Sequence, residues 1–325
     1  MKNYWKNKNI LITGGAGFIG THLANNLIKE NAIVTVVDNL ERGIRKYLDK
    51  KVKFEKLDLR NLNSRLNDVF ENKDFVFHLA SKVGSMQYYL NNSYDVFHEN
   101  LLIDNNVIDL CLKLKINNFF YASSAHVYPS EKKLIKKSFI ETDDYPFRPS
   151  ISYGFAKMIT ENKLLYATKK FKFFNVISGR YTGIYGPYQD YNEKTASFIP
   201  AICGKIINGQ KKLKLLTSGK EKRSYCFIDD AIDCTKLIFE KKRQKFDVFN
   251  ISSNSLHTIK KIAKIIIKCS EKEINLITPK IKANIDYQFC SSAKAQKKLK
   301  WKPKTHLEKG IMFTYKDLLK RIKNK

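Results

Sequence analysis

An α/β fold, built on a doubly wound parallel sheet with a smaller α/β lobe at its C-terminal end, is the fold class that the sequence predicts. Short apolar strands alternate with helical stretches from residue 9 to residue 181. A glycine-rich turn joins the first strand to the first helix, and the regular alternation stops after residue 187. Strands that alternate with helices pair in parallel and are covered on both faces. We therefore expect a main domain over residues 1–187 and a smaller lobe over residues 188–325, whose strands could return to the main sheet.

The period of the apolar residues places each element of the chain. Strands are expected at residues 9–14, 33–38, 52–57, 75–79, 119–123 and 173–181. Helices of the main domain are expected at residues 18–29, 62–70, 93–114 and 151–168. Helices of the smaller lobe are expected near residues 196–207, 229–240, 258–268 and 307–320.

Composition narrows the class of protein. Hydrophobic residues make up 43% of the 325 residues, which is enough for a packed interior and argues against a disordered chain. No run of about 18 apolar residues occurs, and a first strand at residue 9 leaves no room for a signal peptide. We expect a cytoplasmic protein without a membrane partner. The cysteines lack the spacing of a zinc site, so we expect reduced thiols and no metal; they are Cys111, Cys203, Cys226, Cys234, Cys269 and Cys290.

The net charge of +29 is the unusual property of the composition. Residues 201–325 hold 31 Lys and Arg against 11 Asp and Glu. A basic surface suits nucleic acid, an anionic membrane or an anionic substrate. However, the lysines interrupt apolar helices, as in residues 259–265, which is typical of the solvated face of an amphipathic helix. We therefore predict no nucleic-acid partner, with a field that attracts phosphate as the alternative.

The first strand runs directly into Gly14, Gly17 and Gly20, in a GxxGxxG spacing. Such glycines allow a tight turn, a close backbone approach to a pyrophosphate and close packing of helix on strand. The helix that follows, beginning with Phe18 and Ile19, would direct its amides at a phosphate. The pattern predicts a dinucleotide site and makes the sheet Rossmann-type.

Asp38 ends the second strand, where a carboxylate can accept hydrogen bonds from the adenosine ribose. A 2′-phosphate would meet a like charge there, so NAD is favoured, although Arg42 and Arg45 leave NADP open. Asp58 and Leu59 follow the third strand and could contact the adenine. A turn aspartate and a core leucine explain the same two residues equally well.

Tyr153 and Lys157 are four residues apart on a predicted helix and therefore share one face. A nearby ammonium lowers the pKa of a phenol and lets it act as a general base. Ser124 closes the preceding strand at its carboxyl end and could hydrogen-bond the reacting hydroxyl. A chance YxxxK is common, but this order after a glycine motif favours a catalytic site.

With these motifs the chain resembles the extended short-chain dehydrogenase/reductase family, which contains the nucleotide-sugar epimerases and dehydratases. The matching segments include TGGAGFIG at 13–20, FHLAS at 77–81, YGFAK at 153–157 and RSYCFIDD at 223–230. The resemblance implies NAD, a Ser/Tyr/Lys triad and transient oxidation at sugar C4. It also implies a homodimer through helices 93–114 and 151–168. Further cofactor contacts that it implies are Asn39, Leu79, Ala80, Ser81 and Asn100.

Residues 81–86 and 123–129 resemble the corresponding segments of two GDP-sugar enzymes of this family, GDP-mannose 3,5-epimerase and GDP-fucose synthase. His126 stands where those relatives have an acid/base cysteine, so it is either an acid/base or a structural histidine. Lys194 is the candidate for the second acid/base. Substrate contacts that the resemblance implies are Val83, Gly84, Ser85, Met86, Ser124, His126, Arg180 and Arg223.

Ala125 and His126 replace the Asp-Glu pair of the 4,6-dehydratases, which disfavours dehydration. The leading hypothesis is an NAD-dependent epimerase of a nucleotide-linked hexose or heptose, of GDP-manno type, that oxidises C4 and serves surface-polysaccharide synthesis. A net 4-dehydrogenase or 4-ketoreductase on the same substrates is one alternative. A non-catalytic NAD-binding protein with a basic surface is the other.

Overall fold

The computed structural model describes residues 4–129, 139–141, 149, 151–193, 195–241, 244–280, 287–288 and 290–324. The strands are β1 Asn9–Thr13, β2 Ile33–Asp38, β3 Lys53–Lys56, β4 Phe75–His78, β5 Asn118–Ser124, β6 Asn175–Tyr181, β7 Gly183–Tyr185, β8 Lys212–Lys214, β9 Lys222–Arg223, β10 Tyr225–Phe227, β11 Phe246–Ile251, β12 His257–Thr258, β13 Asn275–Ile277 and β14 Tyr287–Gln288. The helices are α1 Phe18–Lys29, α2 Ser64–Phe70, α3 Met86–Asn91, α4 Ser93–Lys113, α5 Ser152–Lys170, α6 Phe198–Ile207, α7 Ile228–Glu240, α8 Ile259–Ser270, α9 Ala293–Leu299 and α10 Leu307–Lys323.

The main sheet has seven strands in the order β11-β6-β5-β4-β1-β2-β3. Every neighbouring pair in it is parallel. The predicted fold class is therefore confirmed. β11 lies beyond residue 187 and yet pairs with β6 from Phe246↔Val176 to Ile251↔Tyr181, so a strand of the C-terminal part completes the main sheet. The boundary at residue 187 stays a prediction.

Successive residues of the central strands enter two different hydrophobic cores, one on each face of the sheet. Ile10 and Ile12 of β1 lie in the first core, whereas Leu11 between them lies in the second. Likewise, Phe120 of β5 lies in the first core and its neighbour Phe119 lies in the second. Strand residues point alternately to the two faces, and α1 and α7 cover the first while α2, α4 and α5 cover the second. The sheet is thus buried on both sides.

Helix ends differ from the expected ones where a cap intervenes. The helix expected from residue 62 begins at Ser64, because the Asn63 side chain accepts a hydrogen bond of 3.0 Å from the Leu66 amide. The short α3 was not expected, and Ser85 caps it by accepting from the Tyr88 amide at 3.2 Å. Such caps fix the first residue of a helix, which an apolar period alone does not define.

The lysines of α8 behave as the charge pattern indicated. Lys260, Lys261 and Lys264 are exposed, whereas Ile262 and Ile266 are buried. Within the described ranges no helix is long and apolar enough to cross a membrane. The same part of the chain contains no cluster of side chains that could hold a metal ion.

Candidate active site

The glycine turn brings the end of β1 against the loop that follows β4. Gly14 has a φ of +66°, and a Cβ on it would lie 2.6 Å from the Ala80 backbone. A Cβ on Gly20 would lie 2.4 Å from the Gly14 carbonyl oxygen. Gly17 caps α1 without a side-chain hydrogen bond, so the first amides of the helix are directed at the turn. A pyrophosphate can approach this backbone closely.

Asp38 ends β2 beside that turn and is buried. Its carboxylate accepts hydrogen bonds from the amides of Ala16, at 3.0 Å, and Leu40, at 2.8 Å. Burial raises the pKa of Asp38, and the backbone hydrogen bonds oppose that rise. The carboxylate lies at the place where the ribose of a dinucleotide is expected to bind.

Asp58 belongs to a network of charges after β3. Arg60 donates to both oxygens of Asp58 and, at 2.6 Å, to Glu99 on α4. The hydrogen bonds from Arg60 lower the pKa of Asp58 to about 2. Leu59 between them is buried. The structure thus fixes Asp58 as a carboxylate, while its contact with adenine stays a prediction.

Asn100, fully buried on α4, holds the loop after β4 in place. Its Oδ1 accepts from the Ser81 hydroxyl at 2.5 Å and from the Lys82 amide at 2.8 Å. Its Nδ2 donates to the carbonyls of Val96 and Lys82. These bonds fix the position of Leu79, Ala80 and Ser81 relative to the glycine turn.

The three predicted catalytic residues are brought to one edge of the sheet. Ser124 is the last residue of β5, and its Oγ accepts a hydrogen bond of 3.2 Å from the His126 amide. The start of α5 packs on this turn so closely that a Cβ on Gly154 would lie 2.1 Å from the His126 carbonyl oxygen. On α5 the Lys157 ammonium lies 5.6 Å from the centre of the Tyr153 ring. Tyr153 is 9% exposed and Lys157 is 1% exposed.

Burial raises the pKa of the Tyr153 phenol well above its usual value. The phenol can therefore act as a base only when positive charge is brought near it, and Lys157 is the protein group that supplies such charge. The Tyr153 ring also stacks on the Tyr89 ring, with the centres 5.0 Å apart and the planes 13° apart. The stacked ring from α3 fixes the orientation of the phenol.

His126 lies beside the phenol, and its role as an acid/base stays a prediction. Its ring centre is 6.1 Å from that of Tyr153 and 6.3 Å from that of Tyr89, edge-on in both cases. The side chain is partly exposed. An imidazole in this place can reach a molecule bound against Tyr153.

Arg180 is paired within the protein. Its guanidinium donates to both carboxylate oxygens of Glu161, at 3.1 and 2.7 Å, and to the Tyr128 hydroxyl at 3.0 Å. Arg223 lies on β9, where its guanidinium donates to the Lys222 carbonyl at 3.0 Å. Contacts of Arg180 and Arg223 with a substrate stay predictions.

The predicted substrate segment 83–86 lies at the start of α3. Ser85 is its cap and Met86, its first residue, is half exposed. The Val83 carbonyl accepts a hydrogen bond from Arg42, and a Cβ on Gly84 would overlap the Tyr88 ring at 2.3 Å. The second acid/base candidate, Lys194, falls outside the described residues.

The model of the NAD dependent epimerase/dehydratase family matches residues 10–252 of the sequence. The chain belongs to this family. It is an NAD-dependent enzyme of the nucleotide-sugar epimerase kind, as the sequence predicted.

Curated relatives of this epimerase act on several nucleotide sugars. The chain is similar to GDP-mannose 3,5-epimerase of Arabidopsis thaliana, with 29% identity over 322 residues, 97% of this chain and 83% of the relative. It is also similar to ADP-L-glycero-D-manno-heptose-6-epimerase of Brachyspira hyodysenteriae, with 28% identity, 79% of this chain and 80% of the relative. Among solved structures, the UDP-glucose 4-epimerase of Thermotoga maritima with UDP-glucose has a TM-score of 0.86 and 26% identity, covering 97% of this chain and 99% of that one.

The residues present fit the cofactor of the family, NAD. Gly14 leaves no room for a Cβ at the turn, and the amides at the start of α1 have no side-chain cap. The Asp38 carboxylate at the end of β2 favours free ribose hydroxyls over a 2′-phosphate. Gly14, Gly17 and Asp38 would hold NAD, which supplies a hydride acceptor to the epimerase site.

Sequence reasoning missed residues whose partners are far away in the chain. Arg42 donates to Asp190 at 2.9 Å, across 148 positions, and was considered only as a possible phosphate ligand. Neither Tyr89 nor Asp104 belongs to a motif of the sequence analysis. Asp104 had a signal, because it follows Asn100 by one helical turn and both are polar residues on the buried face of α4. No local signal marks Tyr89.

Proposed function

We propose that the enzyme oxidises C4 of a nucleotide-linked hexose or heptose, of GDP-manno type, and returns the hydride after inverting one or more carbons. The observation that carries the proposal is the His126 imidazole edge-on to the Tyr153 phenol, 6.1 Å between ring centres, beside Ser124 and Lys157. The relatives named for GDP-mannose and a manno-heptose support this class of sugar.

Each residue has one task in this reaction. The Lys157 ammonium stabilises Tyr153 as a phenolate, which removes the proton of the C4 hydroxyl and becomes a phenol, while Ser124 holds that hydroxyl by a hydrogen bond. NAD held at the glycine turn would supply the hydride acceptor for C4. A ketone at C4 acidifies the neighbouring C3 and C5 protons, and the His126 imidazole can remove and return one of them near neutral pH.

The test is incubation of the NAD-loaded enzyme with GDP-, UDP-, ADP- and dTDP-sugars in deuterated water, followed by NMR and mass spectrometry. Deuterium at C3 or C5 without net NADH is the expected result. Inversion at C4 without deuterium incorporation would mean that the enzyme is a simple 4-epimerase and that C3 and C5 are not inverted. Net NADH and a ketone without exchange would make the enzyme a 4-dehydrogenase, and no turnover on any sugar would overturn the catalytic proposal.

Two substitutions test the oxidation at C4 and the proton exchange at C3 or C5 separately. Tyr153→Phe should lower turnover by about 10²- to 10⁴-fold, because the general base is removed. His126→Asn should abolish the exchange of deuterium and leave reduction of bound NAD by the sugar. The controls are Tyr166→Phe, an exposed tyrosine on the same helix, and His98→Asn, an exposed histidine on α4. A His126→Asn enzyme that still exchanges deuterium at the wild-type rate would remove His126 from the mechanism.

We further propose that the enzyme is a cytoplasmic homodimer that supplies sugars for surface polysaccharides. All six cysteines are free thiols, as suits a reducing compartment. On the α4 and α5 surface Tyr94, Ile159 and Tyr166 are 75%, 41% and 64% exposed. Lys163 of α5 contacts Asp109 of α4 at 3.0 Å, so the two helices form one continuous surface, which a second copy of the chain would cover.

A further inference from the structure

One cation, Lys157, and two carboxylates, Asp104 and Glu161, are buried on or beside the catalytic helix. Lys157 and Asp104 are each 1% exposed, and Glu161 is 5% exposed. The Glu161 carboxylate already has hydrogen-bond partners on both oxygens, because Arg180 donates to both of them and Ser178 donates to one at 2.7 Å. Since Arg180 already pairs with Glu161, Asp104 is the buried carboxylate that contributes most to balancing the charge of Lys157.

Lys157 and Asp104 both approach the side chain of Tyr121. The Lys157 Nζ lies 4.6 Å from the centre of the Tyr121 ring, and the Tyr121 hydroxyl donates to Asp104 Oδ2 at 2.5 Å. Thr160, three residues after Lys157 on α5, donates to the same oxygen at 2.7 Å. The ammonium and the carboxylate therefore flank one tyrosine side chain in a region without solvent.

The other oxygen of Asp104 joins a chain of hydrogen bonds that reaches the glycine turn. His78 Nε2 lies 2.9 Å from Asp104 Oδ1, and Thr13 Oγ1 lies 2.6 Å from His78 Nδ1. Thr13 Oγ1 in turn accepts from the Ala80 amide at 3.4 Å. Burial lowers the pKa of His78 and keeps the ring neutral, so its one N–H donates to Asp104 and its Nδ1 accepts from Thr13.

Asp104 thus receives donors from three elements and offers a full negative charge. Burial alone would raise the pKa of Asp104, but the charge of Lys157 and the bonds from His78 and Tyr121 outweigh burial and hold that pKa below its usual value. Burial lowers the pKa of Lys157, and Asp104 and Glu161 oppose this fall. The groups that face Lys157 are His78 of β4, Asp104 of α4, Tyr121 of β5, and Tyr153 and Glu161 of α5 itself.

We propose that Asp104 is a positioning residue of the reaction, the buried counter-ion that keeps Lys157 an ammonium at neutral pH. The His78 and Thr13 side chains fix this carboxylate relative to the cofactor turn. The inference rests on the proposed roles of Tyr153 and Lys157. Without the carboxylate, a buried ammonium has no partner and gives up its proton more easily.

Protonation can be measured without any sugar. The NAD-loaded full chain is labelled with ¹³Cε-lysine and titrated by NMR, and the Lys157 signal is assigned by its loss in Lys157→Met. In Asp104→Asn the midpoint of Lys157 should fall by at least about one pH unit. The matched control is Asp109→Asn, which removes an exposed carboxylate of the same helix and should leave the midpoint unchanged. Equal midpoints in wild type, Asp104→Asn and Asp109→Asn would overturn the inference.

A reciprocal measurement covers the case in which Asp104→Asn does not fold. Coupling between two titrating groups acts equally in both directions. In Lys157→Met labelled with ¹³Cγ-aspartate, the Asp104 carboxyl should titrate at least about one pH unit higher than in wild type. An unshifted Asp104 signal would also overturn the inference. Neither titration needs turnover, so inactivity on every nucleotide sugar would remove the proposed function and leave this result readable.

Discussion

Gly14 tests whether the glycine turn is required for its backbone conformation or for its contacts. Gly14 and Gly209 both have positive φ, +66° and +92°, but a Cβ on Gly209 would meet nothing within 4 Å. A side chain in this backbone region costs about 1–2 kcal/mol. Gly209→Ala should therefore lower the free energy of unfolding by about that amount and leave NAD affinity unchanged.

Gly14→Ala should lower the free energy of unfolding by more than Gly209→Ala does, because the new Cβ would also overlap the Ala80 backbone at 2.6 Å. We expect a further loss of about 1–3 kcal/mol and at least a tenfold weaker affinity for NAD. Urea unfolding and cofactor titration measure both quantities. If the two variants lose the same stability and bind NAD equally, the close approach of Gly14 to Ala80 has no energetic importance.

The homodimer that we propose depends on the surface formed by helices α4 and α5. Ile159→Glu puts a charge in the proposed interface, where burying it would cost free energy, and should give a monomer at micromolar concentration. Light scattering after gel filtration measures the mass. The matched control is Leu216→Glu, because Leu216 is 93% exposed outside this surface. A wild-type monomer, or an Ile159→Glu dimer, would contradict the proposed interface.

The ends of elements with a clear apolar period could be predicted to within about three residues. Burial of one face of a helix, or of both faces of a strand, produces a pattern of apolar residues that can be recognised in the local sequence. Helix α3 could not, since six residues show no period and its start depends on the Ser85 cap. The residues of the candidate site also fall into those that a local pattern reveals and those that only the fold brings together. Tyr153 and Lys157 are one helical turn apart and could be found, whereas Arg42 and Asp190 meet only through the fold.

At the scale of the whole molecule, buried histidines make stability depend on pH. Burial lowers the pKa of His22, whose ring lies 3.0 Å from the Pro187 carbonyl oxygen, and of fully buried His78. The unfolded chain, with a histidine pKa near 6.5, therefore binds more protons than the folded chain as pH falls below that value. Stability is full above about pH 6.5 and is lost as pH falls toward the folded pKa values.

Below pH 6.5, and above the folded pKa values, the expected slope is up to about 1.4 kcal/mol per pH unit for each such histidine. His22→Gln should reduce that slope by up to this amount, and His98→Gln, at an exposed position, should not change it. Urea unfolding at several pH values measures the slope. A slope that His22→Gln leaves unaltered would show that His22 takes up its proton in the folded state.

The place of β11 in the main sheet bears on how the enzyme is made. A ribosome releases β6 about 70 residues before β11, the strand that pairs with it. Trp5, near the start of the chain, also lacks its partner until Glu240 has been synthesised. In the folded protein the Glu240 carboxylate accepts a hydrogen bond of 2.8 Å from the Trp5 indole N–H. The nascent chain therefore carries an open strand edge, the kind of surface that recruits other chains. Fast completion of synthesis, or a chaperone at that edge, would protect the yield of folded enzyme.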